Sequence, residues 1–237
     1  MNPIKMLGAY VFLLCNVEYL RMTTVAVRSL LATGPSMPIV VMTVGHVPGA
    51  VFPTGVVVET VAMPATLGQH QWRCTFAKLY AARLTSYERV IVLDSDVLVL
   101  ENLDHLFNVD PGDSLAAPPA YWLQQPFFTS GGPLIVNTGA TKFADVLDNE
   151  LSVAVGGEMD YINSRYSKTI VPLHESYTTL IGQWHPPDAI FKRITGRPMM
   201  VHFVASWKPP LSAKQVRSLT RVGQVIYRRW EAMAQRS

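Results

Sequence analysis

Apolar residues along this chain fall into short dense runs, separated by stretches with a helical beat. Residues 8–15 are almost wholly apolar, the pattern of a strand covered on both faces. Residues 18–32 then carry Leu20, Val25, Val27, Leu30 and Leu31 at helical spacing and stop at Gly34-Pro35. A second apolar strand over 38–44, a turn-rich connection over 45–53 and a third strand over 56–61 follow. Strand, helix, strand in this order predicts a parallel, doubly wound beginning.

The pattern continues with a helix over 71–85 and a β-branched strand over 89–93 that runs straight into Asp94-Ser95-Asp96. Residues 97–100 stay extended and 103–107 make a helical turn. Strands are predicted over 114–117, 134–136, 170–173 and 199–204, and helices over 141–153 and 158–166. A closing helix over 212–235 has a basic face of Lys214, Arg217, Arg221, Arg228 and Arg229. Its apolar stripe is Val216, Leu219, Val222, Ile226 and Trp230, which packs on the core while the charges are solvated, the alternative being a helix that rests on a membrane surface or receives an anionic acceptor. No repeat, low-complexity tract or linker interrupts the chain. The expectation is one α/β domain across residues 1–237, a mostly parallel central sheet flanked by helices.

Composition adds limits to this picture. Hydrophobic residues make up 49% of the 237 and charged residues 16%, enough apolar mass for a continuous core and too much for disorder. A net charge of +3 suits an anionic small ligand and is too weak to indicate nucleic acid. The apolar run after Lys5 is followed by Asn16-Val17-Glu18-Tyr19 and not by a small-residue cleavage site, and it is too short to span a bilayer. No segment is of transmembrane length, and a cytoplasmic protein is expected. Cys15 and Cys74 form no CxxC and no metal-ligand spacing, so they read as two ordinary buried thiols.

The acidic pair carries the chemistry. Positions i and i+2 of an extended chain point to one side, so Asp94 and Asp96 converge at the carboxyl end of a buried strand. Open α/β sheets bind ligands there. Two carboxylates a few ångströms apart repel by about 1 kcal/mol in water and several-fold more near protein. A divalent cation removes that conflict, and an oxygen-rich site completed by phosphate suits Mn²⁺, with Mg²⁺ as the alternative.

Five ordered motifs over roughly residues 8 to 210 make the chain resemble the glycogenin-like retaining glycosyltransferases, glycosyltransferase family eight. The first is Leu13-Leu14-Cys15-Asn16-Val17-Glu18-Tyr19. The resemblance implies that Leu13 lies on the donor side, Asn16 hydrogen-bonds uracil and Tyr19 stacks on it. Cys15 stands where relatives often have Thr. The second is Lys78-Leu79 with the run from Val92 to Phe107. It implies a metal at Asp94 and Asp96, Ser95 by the ribose and Lys78 at the donor sugar or diphosphate.

The third motif, Phe128-Thr129-Ser130-Gly131-Gly132, has Thr129 where relatives have an Asn on the donor sugar, with Ser130 and Gly131 beside it. The fourth, Gly156-Gly157-Glu158-Met159-Asp160-Tyr161-Ile162-Asn163, resembles Asp-Gln-x-x-Leu-Asn. Glu158 stands for the Asp and Met159 for the Gln, and Glu158 and Asp160 are the carboxylate candidates for a nucleophile or sugar ligand. The fifth, from His202 to Pro209, resembles His-Phe-x-Gly-x-x-Lys-Pro-Trp. It makes His202 the third metal ligand and Lys208 a diphosphate ligand, with Ala205 replacing Gly and Pro210 replacing Trp.

What the resemblance implies is a nucleotide-binding domain of the A-type glycosyltransferase fold. It implies Mn²⁺-dependent transfer of a hexose or N-acetylhexosamine from a UDP-sugar to a glycan, protein or small-molecule acceptor, with retained configuration. A homodimer is compatible with it. Two other functions compete. A UDP-sugar-binding module without strong catalysis accommodates the departures at Thr129, Met159, Ala205 and Pro210. A sugar nucleotidyltransferase would share the sheet and the acidic site, but no glycine-rich basic loop follows the first strand.

Overall fold

The computed structural model describes residues 6–63, 70–123, 127–139, 156–185 and 196–235. Its main sheet has seven strands: β1 (Met6–Leu14), β2 (Ile39–Val44), β3 (Val56–Val61), β4 (Tyr87–Leu93), β6 (Leu115–Ala117), β7 (Leu134–Asn137) and β8 (Val171–Pro172). They lie in the order β3-β2-β1-β4-β7-β6-β8. The first four are mutually parallel, and β7 then pairs antiparallel with both β4 and β6. From β1 the chain moves outward through β2 and β3, then returns to β4 on the other side. The crevice beyond the carboxyl ends of β1 and β4 is therefore a topological switch point.

The strand period of two decides which side chains meet which layer. On one face Ala9, Val11 and Leu13 of β1 and Val90 and Val92 of β4 pack with Phe76, Ala77 and Leu79, from the 3₁₀ helix His70–Arg83. On the other, Tyr10, Phe12, Leu14, Ile91 and Leu93 pack with Ala26, Val27 and Leu30 of α1 (Leu20–Leu31). Both faces are covered, which is why β1 and β4 read as unbroken apolar runs. Asn16 starts the chain toward α1, its side-chain oxygen accepting from the backbone N–H of Glu18 at 3.0 Å and of Tyr19 at 3.3 Å.

A second sheet, β5-β10-β9, is built from β5 (Val97–Val99), β9 (Thr179–Leu180) and β10 (Met200–His202). With α1 it supports the end of the described chain: Leu98, Val201 and Phe203 share a core with Met22, Val25, Ile226, Tyr227 and Trp230. The helix α2 (Glu158–Tyr166) spans the residues its pattern predicts. The predicted helix over 141–153 lies outside the described residues.

The predicted closing helix is corrected: it is two helices, α3 (Ala213–Ser218) and α4 (Arg221–Gln235). Leu219 leaves the helical conformation, with ψ 149, and is buried in the third core cluster. Thr220 then caps a new start, its hydroxyl accepting from the Gly223 N–H at 3.4 Å. The basic side chains of α4 are solvated and Ile226 and Trp230 of the predicted stripe are buried, but Val222 is exposed and Tyr227 takes a buried place instead. No helix among the described residues is long and apolar enough to cross a membrane.

Candidate active site

The acidic pair emerges where β4 ends, and the small sheet brings its partner. β10 runs antiparallel to β5, with His202 opposite Val97 and the Phe203 N–H donating to the Asp96 carbonyl at 2.8 Å. This places His202 against Asp96 across 106 positions of sequence, Nε2 to Oδ1 2.9 Å, and 3.6 Å from Asp94 Oδ2. The expected convergence of the two carboxylates is present. Their oxygens and a ring nitrogen of His202 lie within 4.8 Å of one another. Ser95, between them, donates its hydroxyl to the Leu13 carbonyl and ties the loop to the end of β1.

Two lysines close on the pair. Lys78, only 3% exposed, sits between Asp94 Oδ1 at 2.6 Å and Glu158 Oε1 at 2.8 Å. Lys208 reaches Asp96 Oδ2 at 3.0 Å, donates to the Tyr19 hydroxyl at 3.0 Å and lies 4.7 Å from the Tyr19 ring centroid.

The titration of the group reflects this crowding. Burial raises the Asp94 carboxyl, with Asp96 and Glu158 adding to the rise against the pull of Lys78. Burial acts the same way on Asp96, but His202 and then Lys208 outweigh it and hold that carboxyl well below the usual range. Glu158 is also held low, because Lys78 and hydrogen bonds from Lys78, Thr75 and Ser130 overcome its burial. Burial would lower Lys78 and His202. Asp94 and Glu158 raise the first, and Asp96, then Asp94, raise the second.

These groups face a cavity of about 420 Å³, lined by Leu13, Cys15, Asn16, Tyr19, Cys74, Thr75, Lys78, Asp94, Ser95, Asp96, Glu158, His202, Val204, Ala205 and Lys208. Most of the predicted site residues are thus gathered on one crevice. Thr129, Ser130 and Gly131 lie behind it. Thr129 accepts the Gly131 N–H at 3.1 Å, and Ser130 donates to Glu158 Oε1 at 2.9 Å. A Cβ on Gly131 would collide with the His202 ring and come within 2.8 Å of Asp94 Oδ2. Asp160 departs from its predicted catalytic role: it is exposed, absent from the cavity lining, and its carboxylate accepts the Gly157 N–H at 2.9 Å as a helix cap.

One further correction and one further observation concern residues that sequence patterns undervalue. Cys15 and Cys74 are not free thiols but a disulfide, their Cα atoms 5.9 Å apart and 59 residues apart in sequence. No local spacing signals a bridge between a strand end and a helix. Ala205, the replacement for Gly, keeps the left-handed backbone that glycine favours, with φ 50.

The model of Glycosyl transferase family 8 matches residues 59–130, the segment that carries Lys78 and the acidic pair. The chain is 32% identical over 124 residues to Glucose N-acetyltransferase 1 of Gibberella zeae, covering 49% of this chain and 27% of that protein. It is 31% identical over 142 residues to Glycogenin-1 of Caenorhabditis elegans, covering 57% of this chain and 32% of that one. It thus spans a third or less of the length of these two curated relatives. Among solved structures, galactosyltransferase LgtC in complex with donor and acceptor sugar analogs superposes with a TM-score of 0.68 at 15% identity, covering 97% of both chains. Glycosyltransferase GlyE of Streptococcus pneumoniae superposes with a TM-score of 0.65 at 20% identity, over 98% of this chain and 62% of that one. These likenesses show the fold, the A-type glycosyltransferase fold expected from the motifs.

Proposed function

We propose that this chain, which the model of Glycosyl transferase family 8 matches over residues 59–130, is a glycosyltransferase of that family and moves a hexose or N-acetylhexosamine from a UDP-sugar to an acceptor hydroxyl with retained configuration. The observation that carries this reading is the Asp94–Asp96–His202 cluster at the switch point, facing a cavity that Asn16, Tyr19 and Lys208 also line. The cluster fits a divalent cation: two carboxylate oxygens and an imidazole nitrogen converge, and His202 Nδ1 is buried without a hydrogen-bond partner. Mn²⁺ is the ion proposed, and once bound it would supply charge neutralisation for the departing diphosphate.

The remaining work belongs to the chain. Asn16 and Tyr19 border the cavity where the base would lie, Asn16 already ordered by its cap. Lys208 is oriented by Asp96 and Tyr19, and its charge aims at the diphosphate oxygens on which charge develops. Lys78 fixes Asp94 and Glu158 in the floor of the crevice. Glu158, buried and ionised, is the cavity-lining carboxylate nearest a nucleophile's role, held by Lys78 and Ser130.

Calorimetric titration of UDP with Mn²⁺, with EDTA, and into Asp96→Asn tests the proposal. Binding that requires both the metal and Asp96 supports it, and a screen of UDP-sugars for hydrolysis then identifies the donor. Metal-dependent UDP binding with no hydrolysis or transfer would favour the binding-module function. Absence of UDP binding under every condition would overturn the nucleotide reading.

A further inference from the structure

The Cys15–Cys74 bridge sits in the wall of the cavity. Cys15 follows the last residue of β1, and the chain continues from it into Asn16 and Tyr19. Cys74 belongs to the 3₁₀ helix His70–Arg83, with Thr75 next to it and Lys78 one helical turn further on. All of these residues line the same cavity. The bridge therefore joins the segment that would receive the base to the segment that positions Asp94 and Glu158. Both cysteines are only partly buried and border open space, so a small thiol can reach them.

We propose that this pair is a reversible redox clasp on the crevice. In the bridged form the two segments are held together and the crevice is preorganised. Two small-molecule thiols such as glutathione convert the bridge to two cysteine thiols and are themselves oxidised to one small disulfide. A small disulfide reverses the exchange, each protein thiol passing its proton and electron to a departing small thiol through a mixed disulfide. In the dithiol form the segments move separately. Where only a third to a tenth of molecules then hold the binding-competent arrangement, nucleotide affinity falls by about three- to tenfold. The affinity change rests on the UDP reading of the cavity, whereas the clasp itself does not.

The test uses the full chain equilibrated with glutathione disulfide or with dithiothreitol, followed by thiol counting by alkylation and mass, amide hydrogen exchange, and UDP titration with Mn²⁺. The bridged protein is expected to show no alkylated cysteine and slow exchange over residues 13–20 and 73–80. The reduced protein should show two alkylated thiols, faster exchange confined to those segments, and the weaker UDP affinity. Cys15→Ser with Cys74→Ser should match the reduced form and ignore the redox buffer. Because reduction of the wild type needs no mutation, a misfolded variant does not remove the test. Two free thiols in the folded protein under oxidising conditions, or identical exchange in both states, would overturn the clasp. If UDP binds neither state, the nucleotide proposal falls, while thiol count and exchange still decide the clasp.

Discussion

Gly131 offers a direct way to test whether the acidic pair and His202 act as one metal site. It is buried behind the cluster, and a methyl group there would overlap His202 Cε1 while lying 2.8 Å from Asp94 Oδ2 and 2.9 Å from His202 Nδ1. The obstacle is an imidazole ring and not backbone, so the strain is relieved by displacing His202 from Asp96. Gly132 supplies the control. A methyl there meets Thr178 Cβ at 2.8 Å and Pro118 Cγ at 3.0 Å, a milder clash that lies away from the cluster. Overpacking of this kind costs about 1–3 kcal/mol, or roughly 2–12 °C in Tm for a chain of this size. Both Gly131→Ala and Gly132→Ala should therefore melt earlier. Only Gly131→Ala should lose affinity for Mn²⁺, by about 10- to 100-fold, the usual cost of misorienting a ligand. Titration of free Mn²⁺ by electron paramagnetic resonance, beside thermal unfolding, separates the two effects. Wild-type Mn²⁺ affinity in Gly131→Ala, or an equal loss in both variants, would refute the assignment of His202 to the site.

Three other perturbations follow from the same geometry. Lys78→Met leaves Asp94 and Glu158 buried without their cation and should cost about 3–5 kcal/mol; the urea midpoint reads this, Glu158→Gln added to Lys78→Met should recover part of it, and a loss under 1 kcal/mol would count against the buried pairing. Ala205→Gly removes a left-handed strain of about 1–2 kcal/mol against a chain-entropy cost of about 0.4–1 kcal/mol, so Tm should stay level or rise by a few degrees; a clear fall would contradict the backbone argument. Asp104 accepts from the Tyr10 hydroxyl at 2.7 Å, the Ser36 N–H at 2.9 Å and Asn102 Nδ2 at 3.2 Å, and these bonds hold its carboxyl below the usual range against the opposing effect of burial. Its stabilisation is thus complete above the unfolded carboxylate pKa, about 4, and is lost as pH falls through the lower folded value. Asp104→Asn should cost about 1 kcal/mol at pH 7, with the difference from wild type narrowing in urea melts below pH 4.

Much of the frame was legible in local pattern. The apolar runs that become β1 and β4 are continuous because α1 and the 3₁₀ helix His70–Arg83 cover both faces of the sheet. Asp94 and Asp96 converge as expected, but they do so in a turn between β4 and β5 and not in extended chain, and Ser95 lines the same cavity. What stayed hidden depends on pairing across long separations. Lys78 reads as an ordinary helix lysine until α2 brings Glu158 to it, and Tyr19 as a stacking ring until Lys208 arrives 189 positions later. The split of the closing helix at Leu219 is decided by burial of that residue among Phe203 and Trp230, which no helical spacing reveals. The disulfide is of the same kind.

Most of the site's chemistry follows from one such pairing. A strand end with two carboxylates is by itself a place of repulsion. The antiparallel register of β10 on β5 sets His202 against Asp96 and makes the pair a three-donor cluster. The same register sends the chain on through Ala205 to Lys208, whose charge lands on the other oxygen of Asp96. A register slip of one residue would turn His202 to the opposite face of its strand and leave Asp94 and Asp96 without their imidazole. The three-stranded sheet, though short, thus sets the donor geometry that the main sheet only begins.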